Sequence, residues 1–141
     1  MGEPQVAIRL CRFDEAETVL ALWRAAETAP SVTDTVDSVT TAIEHADSWL
    51  LVADLDNRVV GSLLVTWDGW RGSFYRLAVL PEWRRRGIAS ALVCEGERRL
   101  DTVGTQRLSA IVLLDHPDAT AFWMNAGFEH QVAAGRFTRT T

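Results

Sequence analysis

The stretch best suited to chemistry is Arg84-Arg85-Arg86-Gly87-Ile88-Ala89-Ser90. It follows an apolar run, Leu77-Ala78-Val79-Leu80-Pro81, and it opens a segment whose apolar residues have helical spacing. The free N–H groups of a helix N-terminus bind phosphate, because the first turn gives them no carbonyl partners. Gly87 lets the backbone approach an anion closely, and three adjacent arginines add positive charge. Taken alone, the same residues suit a solvated basic loop equally well. His116 is the second candidate, since an imidazole with the ordinary pKa of about 6.5 exchanges protons near neutrality. It stands between Asp115 and Pro117, so it also reads as a helix-entry residue. Tyr75, within a strand-like run, offers a hydroxyl, with packing as the competing role.

Other chemistries lack residues. All 14 basic residues are Arg, which excludes a Schiff-base or general-base lysine. His45 and His130 are far apart and outside ligand spacing, so no metal is expected. Cys11 and Cys94 fit no metal pattern either; two reduced thiols are expected, with Cys94 packed inside a helix. No G-x-S-x-G and no Walker motif occurs.

The elements that must position these residues follow from periodicity. Val6, Ile8 and Leu10 alternate as a strand. Asp14 offers an N-cap with Glu17 three residues on, and Ala16, Val19, Leu20 and Trp23 follow at helical spacing. A second helix is predicted from Asp34 on Val36, Val39, Ile43 and Ala46. Strands are predicted over Trp49–Leu55, Arg58–Trp67 and Ser73–Leu80, with Gly61 a bulge or close-approach point. Asp56-Asn57 and Asp68-Gly69 read as turns. A helix over Gly87–Val103 buries Ala89, Val93, Gly96 and Leu100, and Gly104 stops it. A strand over Arg107–Leu114 precedes a short helix from Asp118 to Asn125. Two strands are expected from Phe128 to Thr140, with Gly135 between them. The order β-α-α-β-β-β-α-β-α-β-β predicts an α/β domain: a mixed, mostly antiparallel central sheet covered by helices.

Within that order, Arg84-x-x-Gly87-x-Ala89 resembles motif A, (Q/R)-x-x-G-x-(G/A), of the GNAT superfamily of N-acetyltransferases. Leu77-Ala78-Val79-x-Pro81 resembles the family's central strand. Ala119-x-x-Phe122-Trp123-x-x-x-Gly127-Phe128 is similar to its motif B. Asp68-Gly69-Trp70-Arg71-Gly72 is similar to a D-G-x-R-G turn of small bacterial members. The motifs cover about half of the chain.

The resemblance implies acetyl-CoA as acyl donor and an amine, small molecule or protein, as acceptor. The loop Arg84, Arg85, Arg86, Gly87, Ile88 and Ala89 would hold the pyrophosphate, with a hydroxyl from Ser90. The central strand would bulge and splay from its neighbour, leaving a gap for pantetheine along Leu77, Ala78 and Val79. The Leu77 N–H would stabilise the oxyanion. His116 stands where the family often has Asn, and is a candidate proton carrier or coenzyme contact. Trp123 replaces the family's Tyr, and an indole N–H is no acid near neutrality; it would pack against pantetheine or in the core. Tyr75 could reach the acceptor. A homodimer is open, since dimers are common in the family.

Composition sets outer bounds. The 141 residues fit one domain spanning 1–141, and 48% apolar content supplies a core. A net charge of −5 argues against a nucleic-acid partner. No apolar run approaches the ~20 residues of a membrane helix. Met1-Gly2-Glu3-Pro4 has no signal-peptide features, and Gly2 is a poor myristoylation site because Val6 stands where Ser or Thr is wanted. A cytoplasmic protein, bacterial from its lysine-free composition, is expected. Two alternatives remain: a coenzyme A-binding sensor or pseudoenzyme lacking efficient catalysis, and an interaction module built on exposed Trp67, Trp70 and Trp83.

Overall fold

A computed structural model describes residues 5–141. The readings that concern Met1 to Pro4 lie outside these residues. Five strands form one sheet in the order β1-β2-β3-β4-β5: β1 Val6–Leu10, β2 Ser48–Leu55, β3 Arg58–Trp67, β4 Gly72–Val79 and β5 Leu108–Ala110. The first three pairings are antiparallel, and β4 with β5 is parallel. The helices are α1 Ala16–Ala25, α2 Val36–Glu44, α3 Ile88–Thr102 and α4 Pro117–Asn125. The expected fold class is the observed one.

Strand alternation divides the core into two layers. Leu63, Val65 and Phe74 point towards Gly96 of α3, where a Cβ would stand 2.9 Å from the Phe74 ring. Ser62, one residue before Leu63, faces the other way and meets Trp23 of α1. Helix α3 therefore covers one face and α1 the other. Gly61 is a close-approach point: its Cβ would lie 3.1 Å from the Ala78 carbonyl and 3.2 Å from Ile88. Helix α3 buries Ile88 and Leu92 as well as Val93, Gly96 and Leu100, so its apolar face is wider than the spacing predicts.

Three local expectations are corrected. Asp14 does not cap α1. A single 3₁₀ turn, Phe13–Glu15, precedes it, and Glu15 Oε1 accepts the Arg12 N–H at 2.8 Å. Glu15 is held there by Arg9 of β1, at 2.8 and 2.9 Å, which also reaches Asp54 of β2. Helix α2 is capped by Thr35, whose hydroxyl accepts the Ser38 N–H, and Asp34 is drawn away to an ion pair. The two C-terminal strands do not form. Residues 129–141 have no ladder partner, and Phe137 is 97% exposed. The physical reason is the brevity of β5, which offers an edge of only three residues to template further pairing.

Candidate functional site

Strand β4 is irregular at its centre. Ser62 pairs with Ala78 and Leu64 with Tyr75, so Leu63 alone faces both Arg76 and Leu77. This is a bulge, and Arg76 has a φ of +52° within it. A non-glycine residue in that region costs about 1–2 kcal/mol and persists only where its surroundings fix it. Here they do. The Ser62 hydroxyl donates to the Arg76 carbonyl at 2.9 Å, and the Trp23 indole N–H donates to the same hydroxyl at 2.9 Å. Ser62 is fully buried; its bond from Trp23 forms away from water and its bond to Arg76 is partly shielded.

The same strand is splayed from β5. The two pair only over Gly72–Phe74 and Leu108–Ala110, and the Ile111 N–H makes the last bond to the Phe74 carbonyl at 3.2 Å. Beyond it the chain expected to remain a strand to Leu114 leaves the ladder. A gap opens between β4 from Tyr75 to Val79 and the departing segment 111–116, whose Ile111, Leu113 and Leu114 are exposed apolar residues.

The basic loop closes one end of this region. Gly87 has a φ of +82° and is the N-cap of α3, and a Cβ there would meet nothing within 4 Å. The Arg84 N–H donates to the Pro81 carbonyl and the Ala91 N–H to the Gly87 carbonyl. The backbone N–H groups of residues 85–90 between them have no backbone acceptor. The helix opening is thus an open cradle of unpaired donors. The three arginines divide their work. Arg84 turns inward and donates to the carbonyls of Val79 and Ala26, both at 3.0 Å, which anchors the loop to β4 and to the end of α1. Arg86 lies over the Trp83 ring, 4.9 Å from its centroid. Arg85 is exposed and comes within 3.9 Å of Asp118, at the start of α4. That exposed pair adds little stability, but it shows that the loop and the N-terminus of α4 face each other across the opening.

His116 is the exposed N-cap of α4, 3.7 Å from Asp115. Tyr75 is half-buried, and its alternation with Phe74 sets it on the α1 face. Leu77, half-buried, and Ala78 and Val79, both buried, lie on the part of β4 beyond the ladder with β5. Ile88 is buried, and Ser90 is exposed at the first turn of α3. Trp123 is only 7% exposed; its ring stacks on Phe74 at 5.9 Å and meets Phe128 edge-on at 5.0 Å. Of its two expected roles, these contacts are those of the core one. Cys94 is exposed on α3, contrary to the expectation that it packs, because residue 94 falls between the buried stripes at Val93 and Gly96. Among the tryptophans named for an interaction surface, Trp70 is 70% exposed, while Trp67 and Trp83 pack against the core.

The Asp68 carboxylate accepts the Trp70 and Arg71 N–H groups at 2.8 and 2.7 Å, which holds it below the usual carboxylate range. Arg71 takes part in that turn through its backbone, and its guanidinium lies over Trp70. A cavity of about 570 Å³ adjoins this turn, between Trp67, Trp70, Arg71 and Arg107. It lies at the end of β4 opposite the basic loop.

Sequence reasoning missed one group. Arg76 donates to both oxygens of Asp34, at 2.8 and 3.2 Å, and to Thr28 at 3.3 Å, while its guanidinium lies 4.6 Å from the Trp23 ring centroid. The only signal in the sequence is a serine amid the apolar residues of β3.

Comparison with known proteins bears on this arrangement. Residues 16–128 match the family model described as the acetyltransferase (GNAT) family. The chain is 32% identical over 124 residues to an acetyltransferase of Sodalis glossinidius, covering 88% of this chain and 87% of that one. The PaiA N-acetyltransferase of Thermoplasma acidophilum, crystallised with coenzyme A, superposes with a TM-score of 0.81 at 17% identity, over 89% of this chain and 90% of that one. An aminoglycoside acetyltransferase from an uncultured soil sample, crystallised with sisomicin, superposes with a TM-score of 0.75 at 18% identity, over 96% and 97%.

Proposed function

The chain belongs to the GNAT family of N-acetyltransferases, and from that premise we propose that it moves an acetyl group from acetyl-CoA to an amine by direct attack. The observation that carries the reading is the gap between β4 and segment 111–116, with an unpaired strand edge on one side and a cradle of free amides at its end. The amides of Arg85 to Ala89 suit a pyrophosphate, and Arg85 and Ser90 add a charge and a hydroxyl at its rim. Arg84 contributes by holding the loop rather than by touching the anion. The open edge at Leu77, Ala78 and Val79 suits the amides of pantetheine, which add to a strand edge as another strand would. Exposed Ile111, Leu113 and Leu114 form an apolar wall opposite.

The bulge leaves Leu77 without a partner in the β3 register, which suits its N–H to the oxyanion that develops as the amine attacks the thioester. Positioning of the neutral amine supplies the other large part of the rate. Tyr75, on the α1 face, is the side chain of this strand that the reading assigns to the acceptor. His116 borders the opening and is the proton carrier in this reading, since Trp123 cannot act as an acid. Residues 1–141 act as one catalytic domain. Relatives of similar fold that carry aminoglycosides support a small polyamine-type acceptor. Among the described residues no helix is long and apolar enough to cross a membrane.

The test is calorimetric titration with acetyl-CoA, followed by thiol release with kanamycin, spermidine, tyramine and a peptide N-terminus as acceptors. Binding with turnover of one amine is expected. Binding without turnover of any amine would favour the coenzyme sensor, and absence of binding would reject the reading.

A further inference from the structure

Residue 76 is attached to its surroundings twice. Its carbonyl is held through Ser62 by the Trp23 indole N–H, and its guanidinium lies over the face of that same indole. The backbone of the bulge and the side chain leaving it are therefore fastened to one residue of α1. The guanidinium fork then runs on to Asp34 and Thr28, which both lie in the segment joining α1 to α2. Thr28 is itself tied back: its N–H and hydroxyl both donate to the Trp23 carbonyl at 3.1 Å. Arg76 and Asp34 are each about one-fifth exposed, so the two-pronged ion pair is shielded on most sides. Two parallel N–H···O bonds from a planar fork fix orientation as well as distance, which a lysine would not do.

We propose that Arg76 is a positioning residue that couples the α1–α2 segment to the bulge at Arg76 and Leu77, so that this segment and the Leu77 N–H are set as one unit. The inference rests on the proposed acetyl-CoA reading. It predicts that a change at Asp34, which reaches the bulge through the Arg76 guanidinium, alters recognition of the thioester carbonyl. The coupled element is the strained residue itself. A φ of +52° at Arg76 persists while both attachments hold, and loss of the outer one frees the side chain that stacks on Trp23.

The measurement needs no acceptor. Calorimetry gives the ratio of affinities for acetyl-CoA and for CoA, which differ only in the thioester. Hydrogen exchange reports the amides of residues 27–35 and 76–78. In Asp34→Asn and Arg76→Gln we expect faster exchange in both segments and a ratio lowered about 2- to 10-fold, the range of one hydrogen bond. Affinity for CoA alone stays within about twofold. Arg76→Lys restores the charge without the fork and recovers only part of the ratio. Glu15→Gln, which breaks a comparable ion pair with Arg9 at the distant β1 edge, leaves the ratio and both segments as in the parent. Faster exchange confined to 27–35, with the ratio unchanged in Asp34→Asn and Arg76→Gln, would reduce the pair to a local strap and overturn the inference. A parent that binds neither acetyl-CoA nor CoA would instead reject the underlying functional reading.

Discussion

Gly87→Glu tests the anion cradle most directly, provided that Gly87→Ala is measured beside it. Both variants put a side chain on a residue with φ +82°, so both bear the left-handed penalty of about 1–2 kcal/mol. Neither meets a steric clash, because nothing lies within 4 Å of the new Cβ. For a chain of this size each kcal/mol lowers Tm by roughly 3–4 °C. Both variants should therefore melt about 3–8 °C below the parent and close to each other. Their difference isolates charge. A carboxylate about 5 Å from a pyrophosphate with two negative charges is repelled by about 1.7 kcal/mol at the dielectric constant of water and about 7 kcal/mol at an effective value of 20. Gly87→Glu should then bind CoA at least tenfold more weakly than Gly87→Ala at low salt, and the gap should narrow as salt screens it. Isothermal calorimetry with CoA, dephospho-CoA and pantetheine reads this out. The first two ligands should show the gap, and pantetheine, which has no pyrophosphate, should not. If Gly87→Glu and Gly87→Ala bind CoA within twofold of each other, the pyrophosphate is not held at this helix opening.

Four further outcomes are expected. Ser62→Ala orphans the buried Trp23 N–H and removes the hydroxyl from the part-buried Arg76 carbonyl, and should destabilise by about 1–3 kcal/mol in urea unfolding. Trp123→Ala empties the space against Phe74 and Phe128 and should cost about 3–5 kcal/mol in the same assay; a loss below 1 kcal/mol would contradict its core position. His116→Ala, at an exposed helix entry, should leave stability within about 0.5 kcal/mol while lowering kcat about 10²-fold at constant CoA affinity; an unchanged kcat removes His116 from the mechanism. Arg9 beside Glu15 holds the Glu15 carboxyl down to about 2, so its stabilisation is complete above pH about 4.5 and is lost as pH falls towards 2. After solvent screening the pair stabilises by about 1–2 kcal/mol, and Glu15→Gln should flatten the acid limb of a stability-versus-pH curve by that amount.

The parts of the molecule legible in the sequence are those whose physics is local. The loop before α3 reads from its residues because a strand end, a glycine and a helix start within ten positions already define a helix opening with free amides. The bounds of β3 and the stop of α3 near Gly104 follow from alternation and helical spacing, which need no distant partner. The cap of α1 was misplaced because the residue that decides it, Arg9, lies on another element and selects Glu15 over Asp14. The group around Arg76 was hidden for the same reason. Trp23, Asp34, Ser62 and Arg76 come from α1, a loop, β3 and β4, and each has an ordinary local role. Trp123 left two roles open because its neighbours Phe74 and Phe128 are joined to it only by folding.

The bulge and the splay need one another. A strand edge left unpaired in the body of a sheet exposes donors, acceptors and apolar side chains together, which ordinarily invites association. On the edge of β4 past Phe74, Leu77, Ala78 and Val79 bring neither charge nor proline, and the protection lies in the bulge at Arg76. β5 cannot cover this edge, because the parallel ladder ends at Ala110 and the chain turns away. A simple gap would let β4 drift towards β5 and close the ladder. The bulge opposes that by twisting β4 at Arg76, and the Ser62 bond from the opposite side makes the twist costly to undo. The result is a strand edge held open and apolar on both banks, with a charge-accepting loop at its mouth. An extended ligand with regularly spaced amides and an anionic end satisfies each of those features at once.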